Sequence, residues 1–394
     1  MIEELRLDDL IILQRGFDIT VKEQTVGSIP IISSGGISSY HNAFKVQGPG
    51  VVIGRKGTLG KVYFSSENFW PHDTTLWIKD FKGNDPKFIY YLLQVLHFEK
   101  FDAGAANPTL NRNHIHSLKL KVPKKEYRSK IASILSVYDE LIEINKQRMK
   151  LLEEMAEEIY KEWFVRLRFP GYENTKIDDD LPEGWKYVML SKEFKKIVLG
   201  GTPSRTVDKY WKDGTIDWIQ SGKLNQIRVI DGSEKITEEA VIKSATEIMP
   251  PKTVLIAITG AILISFSEIN LCANQSVIGI YSSDDLSQEY LFLEQKFNIN
   301  YYISKMTGSA QQHINKEVIN SYRILKPSKE INKKFELIMK PMFEEIKVLL
   351  DKNQLLQETL DLLLPRLING KLSVEHLVEE EELGMVAEPV VDYK

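Results

Sequence analysis

KKEYRSKIASILSVYDELIEINKQRMKLLEEMAEEIYKEWFVRLR, residues 124–168, contains neither glycine nor proline, and its reading decides the fold. Apolar residues recur at alternating spacings of four and three: Ile131, Leu135, Tyr138, Ile142, then Met149, Leu152, Ala156, Ile159 and Trp163, with polar Asn145 in mid-stripe. That is a heptad seam on a long helix. Pro123 stands before it and Pro170-Gly171 closes it. Roughly 43 helical residues make a rod of about 65 Å, and a helix with one apolar stripe needs a partner stripe.

The chain supplies one. Lys329–Leu364 repeats the design with Phe335, Ile338, Met342, Ile346, Leu349, polar Asn353, Leu356, Leu360 and Leu363. An Asn in the middle of each seam fixes register at some cost in stability. The two segments are expected to pair antiparallel as a coiled coil. Its interface would be Leu135, Ile142, Asn145, Met149, Leu152 and Ile159 of the first helix against Met342, Leu349, Asn353, Leu356 and Leu360 of the second. Pro341 is expected to kink or interrupt the second helix.

The globular segments repeat as well. IISSGGI (31–37) matches WIQSGKL (218–224), and VVIGRKGTLG (51–60) matches VLIAITGAIL (254–263). GAANPTLNRNHIHSLKLKVP (104–123) aligns without a gap on GSAQQHINKEVINSYRILKP (308–327), and each copy leads into a long helix. The fold class is therefore α+β: two pseudo-symmetric mixed α/β domains separated by two long antiparallel helices. The expected boundaries are 1–123 and 169–327 for the domains, the latter beginning with a linker (169–185), and 124–168 and 328–372 for the helices. An acidic tail, 373–394, is expected to be disordered. In 104–123 the pattern reads as a loop followed by a strand, with His114 and His116 on one face of that strand, short of a third metal ligand.

Charge is segregated. The net charge is −4 over 394 residues. Glu379–Lys394 holds six acids and one Lys, a net of −5, so the rest is +1. Within 186–228 there are nine Lys/Arg against four Asp/Glu, which suits a nucleic-acid face or a solvated surface equally. No apolar run reaches the length of a membrane span, and MIEELRLDDL lacks a signal peptide's regions. One cysteine, Cys272 in an apolar run, reads as a buried inert thiol and fits a reducing cytoplasm.

Catalytic signatures are missing. Gly54-Arg-Lys-Gly-Thr-Leu-Gly60-Lys61 has five residues between its outer glycines where the nucleotide loop needs four, and Val62 follows where Ser or Thr is required. A basic glycine hairpin that lays Arg55, Lys56 and Lys61 against phosphates or base edges is the better functional reading. Asn107-Pro108-Thr109-Leu110 is similar to the Asn-Pro-Pro-aromatic motif of amino-methyltransferases but lacks the second proline and the aromatic. No nuclease carboxylate-lysine cluster and no Ser/His/Asp pattern is present. Residue types that suit guanine edges or phosphates (Arg, Lys) and adenine (Asn, Gln) single out Arg55, Lys56, Thr58, Lys61, Asn111 and Arg112 in the first copy. In the second they single out Arg205, Lys223, Gln311, Asn315 and Lys316.

Five local motifs in order carry a resemblance: Gly54–Val62, Gly104–Asn111, Ile159-Tyr-Lys-Glu-Trp-Phe164 with Arg168-Phe-Pro-Gly171, Leu181-Pro-Glu-Gly-Trp185, and Leu363–Leu372. Together the chain resembles the specificity subunit of type I restriction-modification systems. The second copy departs from the pattern at Ile258-Thr-Gly-Ala-Ile262, which has no Arg or Lys.

The resemblance implies a non-catalytic DNA-binding subunit. Each domain would be a target recognition domain for half of a bipartite double-stranded site. The helices would fix the spacer and dock two DNA methyltransferase (modification) subunits, which restriction subunits join. It implies no cofactor on this chain, with S-adenosylmethionine and ATP on the partner subunits. The outer faces, including Trp163-Phe164 and Leu364–Leu367, are expected to meet those partners. Two rivals stand at this point: an enzyme with a degenerate active site, and a coiled-coil scaffold that reads no DNA.

Overall fold

The structure is a computed structural model, and it describes residues 2–101, 109–308 and 312–376. The chain is mixed α/β and divides into two compact units. One takes the residues up to Ile144 and those from Asn353 onward, and the other takes Asn145–Lys352.

In the first unit, Ile12–Arg15, Thr75–Asp80, Gly50–Gly54 and Val62–Ser65 form a four-stranded antiparallel sheet in that order. Gly50–Gly54 is buried throughout, as its unbroken apolar run requires of a central strand. A second sheet runs Gly36–His41, Ile29–Ser33, Trp70–Pro71, and its last pair is parallel. Ile2–Arg6 pairs with Lys119–Pro123. Helix Pro86–Gln94 begins with Asp85, whose carboxylate accepts from the amides of Lys87 and Phe88, and it buries Phe88, Ile89, Leu92 and Leu93.

The second unit repeats this plan strand for strand. Lys196–Leu199, Val277–Tyr281, Val254–Ala257 and Leu263–Ser267 follow the same order, with Arg228–Val229 added at the edge. Glu234–Ile236, Ile216–Ile219 and Leu271–Ala273 form the second sheet, again with a parallel last pair. Lys186–Met189 pairs with Arg323–Lys326.

Two readings of irregular segments are corrected. His114 and His116 lie on a short helix, Arg112–His116, not on a strand. Asn111 starts it by accepting from the amide of Asn113, and Ile115 is the residue that turns inward. Over five residues, alternation does not separate a period of 2 from one of 3.6. His116 is structural: its Nε2 accepts from the Leu13 amide at 2.9 Å, and burial lowers its pKa. The 169–185 segment is folded rather than a bare linker. Ile177–Asp178 and Leu181–Pro182 pair as a hairpin, and Phe169 and Trp185 pack with ring centroids 4.8 Å apart.

Both long helices are present as Lys125–Tyr160, extended by a π-helical turn at Lys161–Val165, and Lys329–Ile368. Pro341 does not interrupt the second helix. It is solvent-exposed, as is Leu337 one turn before it, so water can take the carbonyl that loses its amide partner. In the first unit Ile131, Leu135, Leu360, Leu364, Leu367 and Ile368 share one core. Ala156, Trp163, Phe164, Phe335, Met339 and Phe343 belong to that of the second. Trp163, Phe164, Leu364 and Leu367 therefore face inward, while Pro365 and Arg366 stay exposed on the face expected to meet partners. Of the expected interface, Leu135, Ile142, Leu349 and Leu360 are buried, while Asn145, Met149, Leu152, Ile159, Met342, Asn353 and Leu356 are half-buried. Val374, expected in the tail, is buried in the first unit's core, and residues 377–394 lie outside the described residues. No helix among the described residues is long and apolar enough to cross a membrane.

Candidate nucleic-acid interface

The basic hairpin of the first unit is fixed by its backbone. The amide of Gly54 donates to the Lys61 carbonyl and that of Gly60 to the Gly54 carbonyl, each at 2.8 Å. A Cβ on Gly54 would sit 2.0 Å from the Thr58 carbonyl oxygen, and Gly57 and Gly60 have φ of 85° and 72°. No side chain fits the first position and few tolerate the other two, so the turn needs its glycines. Lys56, Thr58 and Lys61 are exposed on it, and the Lys61 ammonium lies 5.6 Å from the Tyr63 ring centre.

Arg55 turns the other way. Its amide donates to the Thr74 carbonyl at 2.9 Å and its own carbonyl accepts from Leu110 at 2.9 Å, which ties the hairpin to the segment carrying Asn111 and Arg112. Arg15, Arg55, Thr109, Leu110, Asn111, Arg112 and Asn113 line a recess of about 440 Å³. Three of the expected residues thus meet in one place. Arg15 was not singled out by the sequence, because nothing near it in the chain marks it. Asp73 organises this wall: its carboxylate accepts from Arg15 at 2.7 Å and its carbonyl faces the Arg55 guanidinium at 3.5 Å.

In the second unit the same framework carries different side chains. Ile258 takes the place of Arg55, since its amide donates to Ser276 and its carbonyl accepts from Ile314, both at 2.9 Å. Lys56 bridges to Thr109 as Thr259 does to His313. Asn315 caps the helix Lys316–Ser321 by accepting from Val318, and Lys316 follows it half-buried. Gln311 lies outside the described residues.

Arg205 and Lys223 are held by their own unit. Both Arg205 Nη atoms donate to Glu234, at 2.6 and 2.8 Å, and the guanidinium stacks 3.6 Å from the Trp211 ring centre. That pair of bonds raises the Arg205 pKa and lowers that of Glu234. Lys223 pairs with Asp231 at 2.7 Å. Lys195, Lys196, Lys209 and Arg228 likewise meet Asp284, Glu247, Glu239 and Glu268. Six of the nine cations in 186–228 are therefore matched by carboxylates from outside the segment, and its excess positive charge is largely internal. Cys272 is buried in this unit, and burial pushes its thiol up to about 11, as an inert thiol requires.

A family model described as the type I restriction modification DNA specificity domain matches residues 2–154 and 182–358. The type I restriction enzyme MjaIX specificity subunit of Methanocaldococcus jannaschii is 24% identical over 305 residues, covering 74% of this chain and 70% of its own. The HindI specificity subunit of Haemophilus influenzae is 24% identical over 358 residues, covering 73% and 77%. The crystal structure of a type I restriction-modification system S subunit from M. genitalium superposes with a TM-score of 0.61 at 16% identity, over 93% of this chain and 96% of that one.

Proposed function

Since the chain belongs to the type I restriction modification DNA specificity family and is a non-catalytic subunit that supplies DNA sequence specificity, we propose that each of its two units reads one half of a bipartite duplex target. The observation that carries this is the duplicated framework with unlike residues at equivalent positions, Arg55 against Ile258 first among them. One scaffold used twice, with different side chains at the same place, suits two different half-sites.

In the first unit the DNA contacts would be Arg55, Lys56, Thr58, Lys61, Asn111 and Arg112. In the second they would be Gln311, Asn315 and Lys316 and, once released from their carboxylates, Arg205 and Lys223. The two long helices would pair antiparallel as a coiled coil that sets the unread interval. Contacts within each unit run in that sense: Asn353 donates to the Ile142 carbonyl at 3.4 Å, Arg148 meets Glu345 at 3.0 Å, and Trp163 packs on Phe335 at 5.6 Å.

Each long helix also keeps apolar residues in the open: Val137, Ile144, Leu151 and Met155 on the first, and Val348, Leu355 and Leu362 on the second. Most recur every seventh residue, the spacing of a second seam, and this suits docking of two methyltransferase subunits in the cytoplasm. Those partners would bring S-adenosylmethionine, and restriction subunits would bring ATP.

The test is to co-express the chain with its methyltransferase subunits and sequence the host DNA for modified adenines. Two short half-sites with a gap of fixed length are expected. An assembled, active complex that modifies no such site would overturn this reading and favour a scaffold.

A further inference from the structure

We propose that Arg15 and Arg55, both in contact with Asp73, form a guanine-reading element in the first unit, and that the second unit lacks this element at the equivalent place. This rests on the specificity reading above. Arg15 ends strand Ile12–Arg15, and its side chain is 58% exposed. One Asp73 oxygen accepts from its Nη2 at 2.7 Å, and the other lies 3.2 Å from His72 Nδ1. Arg55 Nη1 meets the Asp73 backbone carbonyl at 3.5 Å, and Arg15, Arg55, Asn111 and Arg112 line the same recess.

A carboxylate beside a guanidinium sorts between ligands. It repels a charged phosphate oxygen more strongly than the neutral O6 and N7 of guanine, and it orients the fork of donors that takes those two acceptors together. Asp73 is in this sense a positioning residue for Arg15, while Arg55 meets only its backbone carbonyl.

Backbone hydrogen bonds identify the equivalent places in the second unit. Gly16 donates to Thr75 as Gly200 does to Val277, so Leu199 stands where Arg15 does. Arg55 and Ile258 donate to Thr74 and Ser276, so Gln275 stands where Asp73 does. Ile258 is 6% exposed, and Gln275 accepts from the Thr202 hydroxyl at 2.5 Å. Both guanidiniums, and the carboxylate that holds Arg15, are absent from the equivalent places, which is what loss of one device predicts.

The experiment maps modified sites for complexes assembled with Arg15→Leu, Arg55→Ile and Asp73→Asn chains. The first two variants are expected to lose preference for guanine at one or two positions of a single half-site by roughly 10- to 100-fold. The other half-site and the gap stay unchanged. Asp73→Asn is expected to relax the same positions less, with the thermal midpoint of the chain retained. Should Arg55→Ile fail to fold, the exposed Arg15→Leu decides. Unchanged guanine preference overturns the proposal, as does uniform weakening on all sequences with a shallower salt dependence, the mark of a phosphate contact. A wild-type complex that modifies no bipartite site overturns the specificity reading and this inference with it.

Discussion

Arg228 is a cation enclosed by rings. Its guanidinium lies 4.2 Å from the Phe343 ring centre and 5.0 Å from that of Phe266, and Nη1 donates to Glu268 at 2.9 Å. Both partners are almost fully buried. Cutting the pair leaves Glu268 alone in an apolar wall, so Arg228→Ala is expected to cost about 3–5 kcal/mol, read as a lower urea midpoint. A loss under about 1 kcal/mol would mean that water or Lys347 replaces the guanidinium. Glu294 is buried with no ion pair among the described residues. Tyr322 and Asn298 donate to its Oε1, yet burial raises its pKa to about 7 from 4.5. The folded state thus holds a proton that the unfolded chain has shed. Between about pH 4.5 and 7 this group lowers stability as pH rises, to a limit of about 3 kcal/mol, and above that window its effect is constant. Glu294→Gln should therefore gain on the parent through that window, and a difference independent of pH would refute the assignment. Neither residue is marked in the sequence, because the burial that sets its role comes from segments such as those of Glu268 and Tyr322, 40 and 28 positions away. Arg205 was singled out as a DNA contact, but its engagement by Trp211, Trp218 and Glu234 was not legible, because only the fold brings those three onto one guanidinium.

At the scale of elements, long periods were legible and short ones were not. The two helices declare themselves because a seam repeated over many turns outweighs local ambiguity. Its phase is less secure. The heptad reading puts Ile338 and Met342 inward, whereas Met339 and Phe343 are the buried pair. A straight helix drifts by about 20° per heptad, so a strict seven-residue count slips over five turns. Phe343→Ala is accordingly expected to cost about 3–5 kcal/mol and Ile338→Ala under about 1, measured by chemical unfolding. Equal losses would restore the heptad phase. The five-residue helix at Arg112–His116 offered no such averaging, and its signal, Asn111 as a cap, is one residue deep. The recess was half legible: the glycines announce the hairpin, but Arg15 reaches it only through sheet order. On the outer face, Leu151→Glu should leave unfolding unchanged and weaken capture of the methyltransferase subunits in a pull-down. Retained capture would remove that stripe from the docking surface.

For the whole molecule, duplication is the dominant fact, and it was legible because one gapless alignment carries a helix, a strand and an isolated bridge from copy to copy. Charge alone was misleading, since most of the cations in 186–228 are matched within their own unit. If the helical pair sets the unread interval, as proposed, that interval should obey the arithmetic of two polymers. Removing one heptad from each long helix, Asn145–Leu151 and the seven residues facing it, keeps every remaining seam residue in phase and shortens the rod by about 10 Å. Duplex DNA rises about 3.4 Å per base pair, so the gap should shrink by about three base pairs while both half-sites keep their sequences. A three-residue deletion, by contrast, rotates the seam off its partner and should abolish modification before it shifts the gap. Sequencing the modified sites separates the outcomes. A gap unchanged by the heptad deletion would show that loops or partner subunits, not the helices, measure the target.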